Sequence, residues 1–208
     1  MCLAIYARRR ALLGGDRARA SLGRAEVKEV FTPGDGSTTR AALALENKRV
    51  LLTVSRMDSG QRYKGQDRII AAIPYVVAQG HDVEYLVVGE SDDRAPLEEL
   101  ARDVGVSGSV RFLGSIGLRN LIEMYRMADL FVMPSTGDGF GVAFLEAMAS
   151  GTPALGLRVG GARDAIADGE LGTVVSEAEL PAAIARLLAA PKPDLHALAA
   201  AVRCPIRS

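Results

Sequence analysis

A glycine-rich turn and two carboxylates lie together in residues 134–151, which read PSTGDGFGVAFLEAMASG. Asp138 lies inside the turn, and Glu146 follows eight positions later in an apolar stretch typical of a helix. Glycines let a backbone approach a ligand closely, and the N–H groups at a helix start bind anions such as phosphate. If the helix begins just after Gly141, Glu146 lies roughly 7.5 Å further along its axis, within reach of a ribose diol beyond the phosphate. The alternative is a helix cap at Asp138 and a surface charge at Glu146.

Cations occupy a second loop, SRMDSGQRYKGQD, at residues 55–67. Arg56 and Lys64 follow an apolar run, and Gly60 and Gly65 lie in the same loop. Fixed cations in such a loop can hold a diphosphate by charge-assisted hydrogen bonds. The charges alone are also consistent with an ordinary solvated turn.

Both loops follow short apolar runs without hydrophobic alternation, which is the pattern of strands buried on both faces. About six such runs alternate with stretches of helical periodicity, namely 50–55, 84–89, 110–114, 129–135, 153–157 and 172–176. This alternation predicts an α/β domain with a doubly wound, mainly parallel, Rossmann-like sheet. Ligands of such domains bind at the carboxyl ends of the strands, so we expect the two loops to form the site. Pro74 lies inside the helical pattern of residues 66–80 and predicts a kink or a split there.

The composition is that of a globular protein with no electrostatic preference for nucleic acid. Lysine plus arginine and aspartate plus glutamate number 25 each, so the formal charges cancel. Cys2 and Cys204 lie near opposite ends, and the His, Cys and Asp residues show no metal-ligand spacing. We therefore expect no metal and no other cofactor.

The location follows from two further observations. In MCLAIYARRR the charges come after the apolar run, which is the wrong order for a signal peptide. No apolar run approaches the roughly 20 residues that span a bilayer. We therefore expect a cytoplasmic protein.

Two common nucleotide-binding motifs are absent from the sequence. The loop after the second strand reads GESDDR at residues 89–94 rather than G-x-G-x-x-G, which argues against a nicotinamide enzyme. No G-x-x-x-x-G-K-[ST] loop occurs either, which argues against a P-loop NTPase.

Several separated motifs, taken in order, resemble the nucleotide-sugar-binding domain of retaining GT-B glycosyltransferases of the family-four type. The residues that carry this resemblance are Arg56, Lys64, Pro134-Ser135, Asp138, Gly139-Phe140-Gly141, Glu146-Ala147-Met148-Ala149 and Gly151-Thr152-Pro153. The resemblance runs from about Phe31 to about Leu188 and includes FTPG and VRFLG. Asp138 stands where that family usually has glutamate, so its carboxylate is one methylene shorter.

The resemblance implies a role for each of these site residues. Arg56 and Lys64 would neutralise the diphosphate of the donor and, with Asp138, act in catalysis. Asp138 would contact sugar hydroxyls, and Glu146 would hold the ribose. The turn that would wrap the diphosphate and the sugar consists of Gly139, Phe140 and Gly141.

The activity that the resemblance implies is transfer of a hexosyl group from a nucleotide-diphosphate sugar, with retention, to an acceptor glycan or lipid-linked sugar. Such enzymes act in cell-surface polysaccharide or glycolipid synthesis, so peripheral contact with the inner face of the membrane is a further expectation. A GT-B-like epimerase or phosphorylase is a weaker alternative, because the E-A-M-A-x-G-x-P context is that of transferases.

GT-B enzymes consist of two Rossmann-like domains, and the motifs here belong to the C-terminal one, which binds the donor. We expect an N-terminal remnant or linker at 1–30, a nucleotide-sugar-binding domain at 31–190 and a C-terminal tail at 191–208. The first segment is too short for an acceptor domain of about 150 residues. A separate chain could supply that domain. The alternative is a nucleotide-sugar-binding module, or a truncated product, without turnover of its own.

Overall fold

The computed structural model describes residues 27, 29–55, 64–90, 93–137, 141–159 and 161–203. The strands in these ranges are Arg49–Val54 (β1), Val83–Val88 (β2), Val110–Gly114 (β3), Leu130–Met133 (β4), Ala154–Leu157 (β5) and Thr173–Val175 (β6). They form a 6-stranded sheet in the order β3-β2-β1-β4-β5-β6. Every neighbouring pair is parallel. The predicted doubly wound, parallel, Rossmann-like sheet is confirmed.

Helices connect the strands and cover both faces of the sheet. The α-helices with both ends in the described ranges are Ser37–Ala42 (α1), Gln66–Ala78 (α2), Arg94–Asp103 (α3), Leu118–Met127 (α4), Val142–Ala149 (α5), Gly161–Ala165 (α6), Leu180–Ala189 (α7) and Leu195–Arg203 (α8). Short 3₁₀ turns lie at Ser107–Ser109, Ala167–Gly169 and Glu177–Glu179.

Each strand contributes to two cores, one on either side of the sheet. Leu52 and Phe131 pack on the face covered by α4, α5 and α6. Their neighbours Leu51 and Val132 pack on the opposite face, beneath α2, α3 and α7. Because both faces are buried, most successive strand residues are apolar, which is why the sequence shows no alternation.

Helix α2 continues through Pro74 as one helix, so the predicted split is wrong. A proline inside a helix costs about 3 kcal/mol through a lost hydrogen bond and a steric clash. Pro74 is exposed, while Ile70 and Ile73 on the same helix are completely buried. We infer that burial of the inner face offsets the local cost.

A helix also forms inside the predicted C-terminal tail, residues 191–208. Helix α8 packs on α5, and its Ala199 is 2% exposed. A Cβ atom on Gly151 would lie 2.8 Å from Cβ of Leu195, so the glycine leaves room for this contact. The helix that carries Glu146 is therefore covered from outside by a segment close to the end of the described chain.

The order in which the chain adds strands to the sheet reverses between β1 and β4. The chain proceeds from β1 to β2 on one side and from β4 to β5 on the other. The two central strands pair only through Leu51 with Leu130 and Leu52 with Phe131, whereas β1 pairs with β2 over its full length. A ligand crevice in a doubly wound sheet lies at this position, outside the carboxyl ends of the two strands.

A buried aspartate, Asp129, lies directly before β4, at the amino-terminal ends of the strands. Its Oδ2 accepts a 2.8 Å hydrogen bond from the N–H of Val50 and a second from Arg40, and Nζ of Lys192 lies 2.8 Å from Oδ1. Burial acts to raise the pKa of Asp129, but the hydrogen bonds from Lys192, Val50 and Arg40 outweigh it and lower the pKa. This carboxylate therefore joins three distant segments in its ionised form.

A second buried carboxylate, Glu84, also lies near the amino-terminal ends of the strands and is 1% exposed. Nζ of Lys48 lies 2.9 Å from its Oε2, and Arg111 hydrogen bonds to its Oε1. Both carboxylates lie at the amino ends of strands, away from the crevice, so we assign them a structural role.

Candidate functional site

The loops that follow β1 and β4 are in direct contact. Gly65 is buried and has φ of +83°, and a Cβ atom there would lie 2.5 Å from the carbonyl oxygen of Pro134. Arg68, one turn into α2, donates to the same carbonyl over 3.3 Å. The two loops that the sequence analysis selected are therefore packed against each other at the carboxyl ends of neighbouring strands.

We expect Gly65→Ala to destabilise the protein more than Gly80→Ala does. Both glycines have left-handed backbones, with φ of +83° and +88°, so each alanine pays about 1–2 kcal/mol of backbone strain. Only at Gly65 does the new methyl group also overlap Pro134, which adds about 1–3 kcal/mol. No atom of the described residues lies within 4 Å of a Cβ at Gly80. Urea denaturation of both variants measures the difference, and equal losses would contradict the close approach of the loops.

Lys64 lies directly before Gly65 and is half-buried. Burial lowers the pKa of this lysine. A cation that is partly withdrawn from water interacts strongly with an anion brought beside it, because the local dielectric is low. The position of Lys64 is therefore suited to a diphosphate or a similar anionic ligand.

Helix α5 begins at the end of the loop that follows β4. Gly141 precedes the helix with φ of +64°, and a Cβ atom there would lie 2.9 Å from Cδ2 of Phe144 and 3.1 Å from the carbonyl oxygen of Gly161. Glycine is required by both the backbone angle and the lack of space. The tight entry holds the first N–H groups of α5 in a fixed place at the carboxyl end of β4, where they can bind an anion.

Glu146 lies in the middle of α5 and is 2% exposed. Its Oε2 accepts a 2.9 Å hydrogen bond from the hydroxyl of Tyr125 on α4. Burial raises the pKa of Glu146 to about 7, although the Tyr125 hydrogen bond opposes this shift. The alternative of a solvated surface charge at Glu146 is therefore wrong.

Tyr125 is itself fully buried and is held on several sides. Its ring contacts Phe31 edge-on, with ring centroids 5.7 Å apart, and packs against Phe131 at 5.8 Å. Its backbone carbonyl accepts a hydrogen bond from the hydroxyl of Thr152. No sequence pattern indicates a role for Tyr125 in the site, because a tyrosine on the apolar side of a helix resembles an ordinary core residue.

The described residues contain three of the seven predicted site residues. Lys64 lies after β1, and Gly141 and Glu146 lie after β4, the strand beside β1 in the sheet. The others lie outside the described residues: Arg56, Asp138, Gly139 and Phe140. The assignment of the complete site stays a prediction.

Metal ligands and membrane spans were also sought in the described ranges. No group of three or more His, Cys, Asp or Glu side chains in those ranges could hold a metal ion. No helix in the same part of the chain is both long enough and apolar enough to cross a membrane.

Comparison with known proteins places the chain in a family. Residues 36–202 match the family model described as glycosyl transferases group 1. D-inositol 3-phosphate glycosyltransferase 2 from Catenulispora acidiphila is 34% identical over 194 residues, which are 86% of this chain and 45% of that relative. The chain thus spans less than half the length of this curated relative.

Solved structures show the same architecture. Sucrose-phosphate synthase from Thermosynechococcus elongatus superposes with a TM-score of 0.72 at 30% identity, over 84% of this chain and 45% of that one. Anabaena HepE in complex with UDP-glucose gives a TM-score of 0.68 at 23% identity, over 84% and 50% of the respective chains. The second likeness is one of fold.

The six-stranded parallel sheet corresponds to one Rossmann-like half of a GT-B fold. Since the family model also matches most of its length, the chain belongs to the group 1 family of glycosyl transferases.

Proposed function

We propose that this domain binds the nucleotide-diphosphate sugar donor of a retaining GT-B glycosyltransferase that transfers a hexosyl group. The observation that carries the proposal is the position of Glu146, a buried carboxylate on the helix that leaves the crevice between β1 and β4. Burying a carboxylate costs free energy, and among the described residues Glu146 accepts its hydrogen bond from the neutral hydroxyl of Tyr125. A ligand with hydroxyl donors would compensate that cost.

The chemistry of sugar transfer assigns a task to each predicted group. Breaking the bond between sugar and diphosphate builds positive charge on the sugar and negative charge on the leaving group. Lys64, with Arg56, would stabilise the leaving diphosphate, as would the first N–H groups of α5. Glu146 would accept hydrogen bonds from the ribose diol, and Asp138 from hydroxyls of the transferred sugar.

The acceptor belongs to the other half of a GT-B enzyme. We propose an acceptor glycan or lipid-linked sugar, bound by a domain that a further part of a longer protein or a separate chain supplies. The curated relative is named for D-inositol 3-phosphate, so a phosphorylated polyol is a further acceptor to try. Retention of configuration and a role in cell-surface polysaccharide or glycolipid synthesis rest on the motif resemblance. We also propose a location in the cytoplasm, and contact with the inner membrane face rests on the same resemblance.

The proposal predicts that the chain binds a nucleoside diphosphate and its sugar without a metal ion. Isothermal titration with UDP, GDP and ADP, and then with the glucose and mannose derivatives of the best binder, measures this. Binding should persist in EDTA, because cationic side chains and helix N–H groups meet the phosphate charge. Loss of affinity on chelation, restored by magnesium or manganese, would overturn the metal-free site. Failure of all three nucleotides to bind would overturn the donor-binding function.

A further inference from the structure

Tyr125 and Glu146 form a buried pair whose members come from two different helices. Both side chains lie in the core on the α4 and α5 side of the sheet, and the hydroxyl of Tyr125 donates to Oε2 of Glu146 over 2.9 Å. Within the described residues, this is the hydrogen bond that the carboxylate of Glu146 makes. A carboxylate has two oxygens with about four acceptor sites, so most of its capacity lies beyond this contact.

The side chain of Tyr125, the hydrogen-bond donor in this pair, is held in place by its neighbours. Phe31 and Phe131 pack against the ring of Tyr125, and Thr152 hydrogen bonds to its backbone carbonyl. Thr152 is connected in turn to the Glu146 helix, since its N–H donates to the carbonyl of Ala147 over 2.9 Å. The hydroxyl of Tyr125 therefore has a fixed position relative to α5.

We propose that Tyr125 is a positioning residue that holds one oxygen of Glu146 and aims the other at the ribose diol of the donor, a role that rests on the function proposed above. A tyrosine hydroxyl holds a carboxylate without neutralising it. The negative charge of Glu146 therefore remains available to two hydroxyls of the ribose. An arginine or lysine in place of Tyr125 would form an ion pair with the carboxylate and weaken its hydrogen bonds to these hydroxyls.

The same arrangement favours ribose over a sugar without the diol. A nucleotide that lacks both hydroxyls would leave the positioned carboxylate buried and without its hydrogen bonds. Sites of this kind reject the analogue because their own polar groups remain unpaired. Discrimination between a nucleotide and its 2′,3′-dideoxy form is therefore the property that Tyr125 should control.

The test compares affinities of the 208-residue chain for UDP, GDP and ADP with those for their 2′,3′-dideoxy counterparts. Tyr125→Phe should weaken binding of the best ribonucleotide about threefold to tenfold, as expected for one hydrogen bond that acts indirectly. Binding of the dideoxy form should change little, so the ratio of the two affinities falls. In a Glu146→Gln background, Tyr125→Phe should cause no further loss, because the residue acts through Glu146.

Tyr85→Phe is the matched control. Tyr85 is also completely buried, and its hydroxyl also makes a 2.9 Å hydrogen bond, to Thr53 on the other face of the sheet. Removing this hydroxyl should leave the ratio of affinities unchanged. A second readout is the carboxyl ¹³C titration of Glu146, whose pKa should rise further in Tyr125→Phe and stay unchanged in Tyr85→Phe.

The outcomes separate this role from the function on which it rests. If no ribonucleotide binds the unaltered chain, the donor-binding function is wrong, and the role of Tyr125 with it. If Glu146→Gln weakens binding while Tyr125→Phe leaves the ratio unchanged, only the positioning role is wrong. An equal loss for ribonucleotide and dideoxynucleotide in Tyr125→Phe would indicate a packing effect and would also overturn it.

Discussion

Glu146→Gln is expected to weaken nucleotide binding roughly tenfold to a hundredfold, since hydrogen bonds to a charged group contribute about 1.5–3 kcal/mol. The amide has nearly the shape of the carboxyl group, so the helix and the crevice keep their geometry. What is lost is the negative charge that accepts from the ribose diol. Titration with a nucleoside diphosphate is sufficient, because the ribose contact does not require the sugar that is transferred.

The same substitution should stabilise the ligand-free protein at pH 8. Burial raises the pKa of Glu146 from 4.5 to about 7, so the folded protein binds this proton more tightly than the unfolded chain does. Stability from this group therefore falls as the pH rises from about 4.5 to about 7 and stays low above that. The shift corresponds to about 3 kcal/mol as an upper bound, so we expect a gain of about 1–3 kcal/mol at pH 8 and almost none at pH 4.

Glu84→Gln is the matched control for both effects. Glu84 is as buried as Glu146, with 1% against 2% of its surface exposed, but it is paired with Lys48 and Arg111. Removing its charge leaves two cations without their partner, so this variant should lose stability at pH 8 and keep its nucleotide affinity. Thermal and urea denaturation with and without nucleotide give both quantities. An unchanged dissociation constant in Glu146→Gln would contradict the ribose contact.

Asp129→Ala should lower the free energy of unfolding by about 2–4 kcal/mol at pH 7. Asp129 accepts hydrogen bonds from Arg40, whose side chain is 15% exposed, and from the N–H of Val50. The substitution would leave both donors in the protein interior without this acceptor. Lys192 is 47% exposed and can return to water, so we place the loss below that of a fully buried network.

The loss should depend on pH in the direction set by the lowered pKa of Asp129. A carboxyl group with a depressed pKa stabilises the fold above its unfolded pKa and ceases to do so as the pH falls through the folded value. The difference between the original chain and Asp129→Ala should therefore shrink in strong acid. Asp82→Ala, also at the amino-terminal end of a strand, is the control. Asp82 is 67% exposed, and its Oδ1 lies 3.6 Å from Nζ of Lys48, so it forms an exposed ion pair in place of a buried network. Similar losses in both variants would contradict the assigned network.

Much of the fold could be predicted because its causes are local in the chain. The apolar runs of β1 and β2 lack alternation, and this alone indicates strands that are buried on both faces of a parallel sheet. The position of Gly141 before an apolar helix likewise indicates a tight entry, which its φ of +64° confirms. The predicted split at Pro74 does not occur, because a helix propensity describes the isolated helix, whereas burial of the opposite face decides whether the helix continues.

The sequence by itself determined the class of sheet, the two loops after β1 and β4, and the family to which the motifs belong. Only the tertiary structure decided which strands are neighbours, because hydrophobic periodicity reports which side of a segment is buried and not what covers it. The approach of Gly65 to Pro134 and the contact of Tyr125 with Glu146 depend on that order. The hydrogen bond from Arg40 to Asp129, 89 positions away in the sequence, depends on the strand order as well. Such pairs form when the packing of whole helices and strands brings distant residues together, and for that reason no local pattern encodes them.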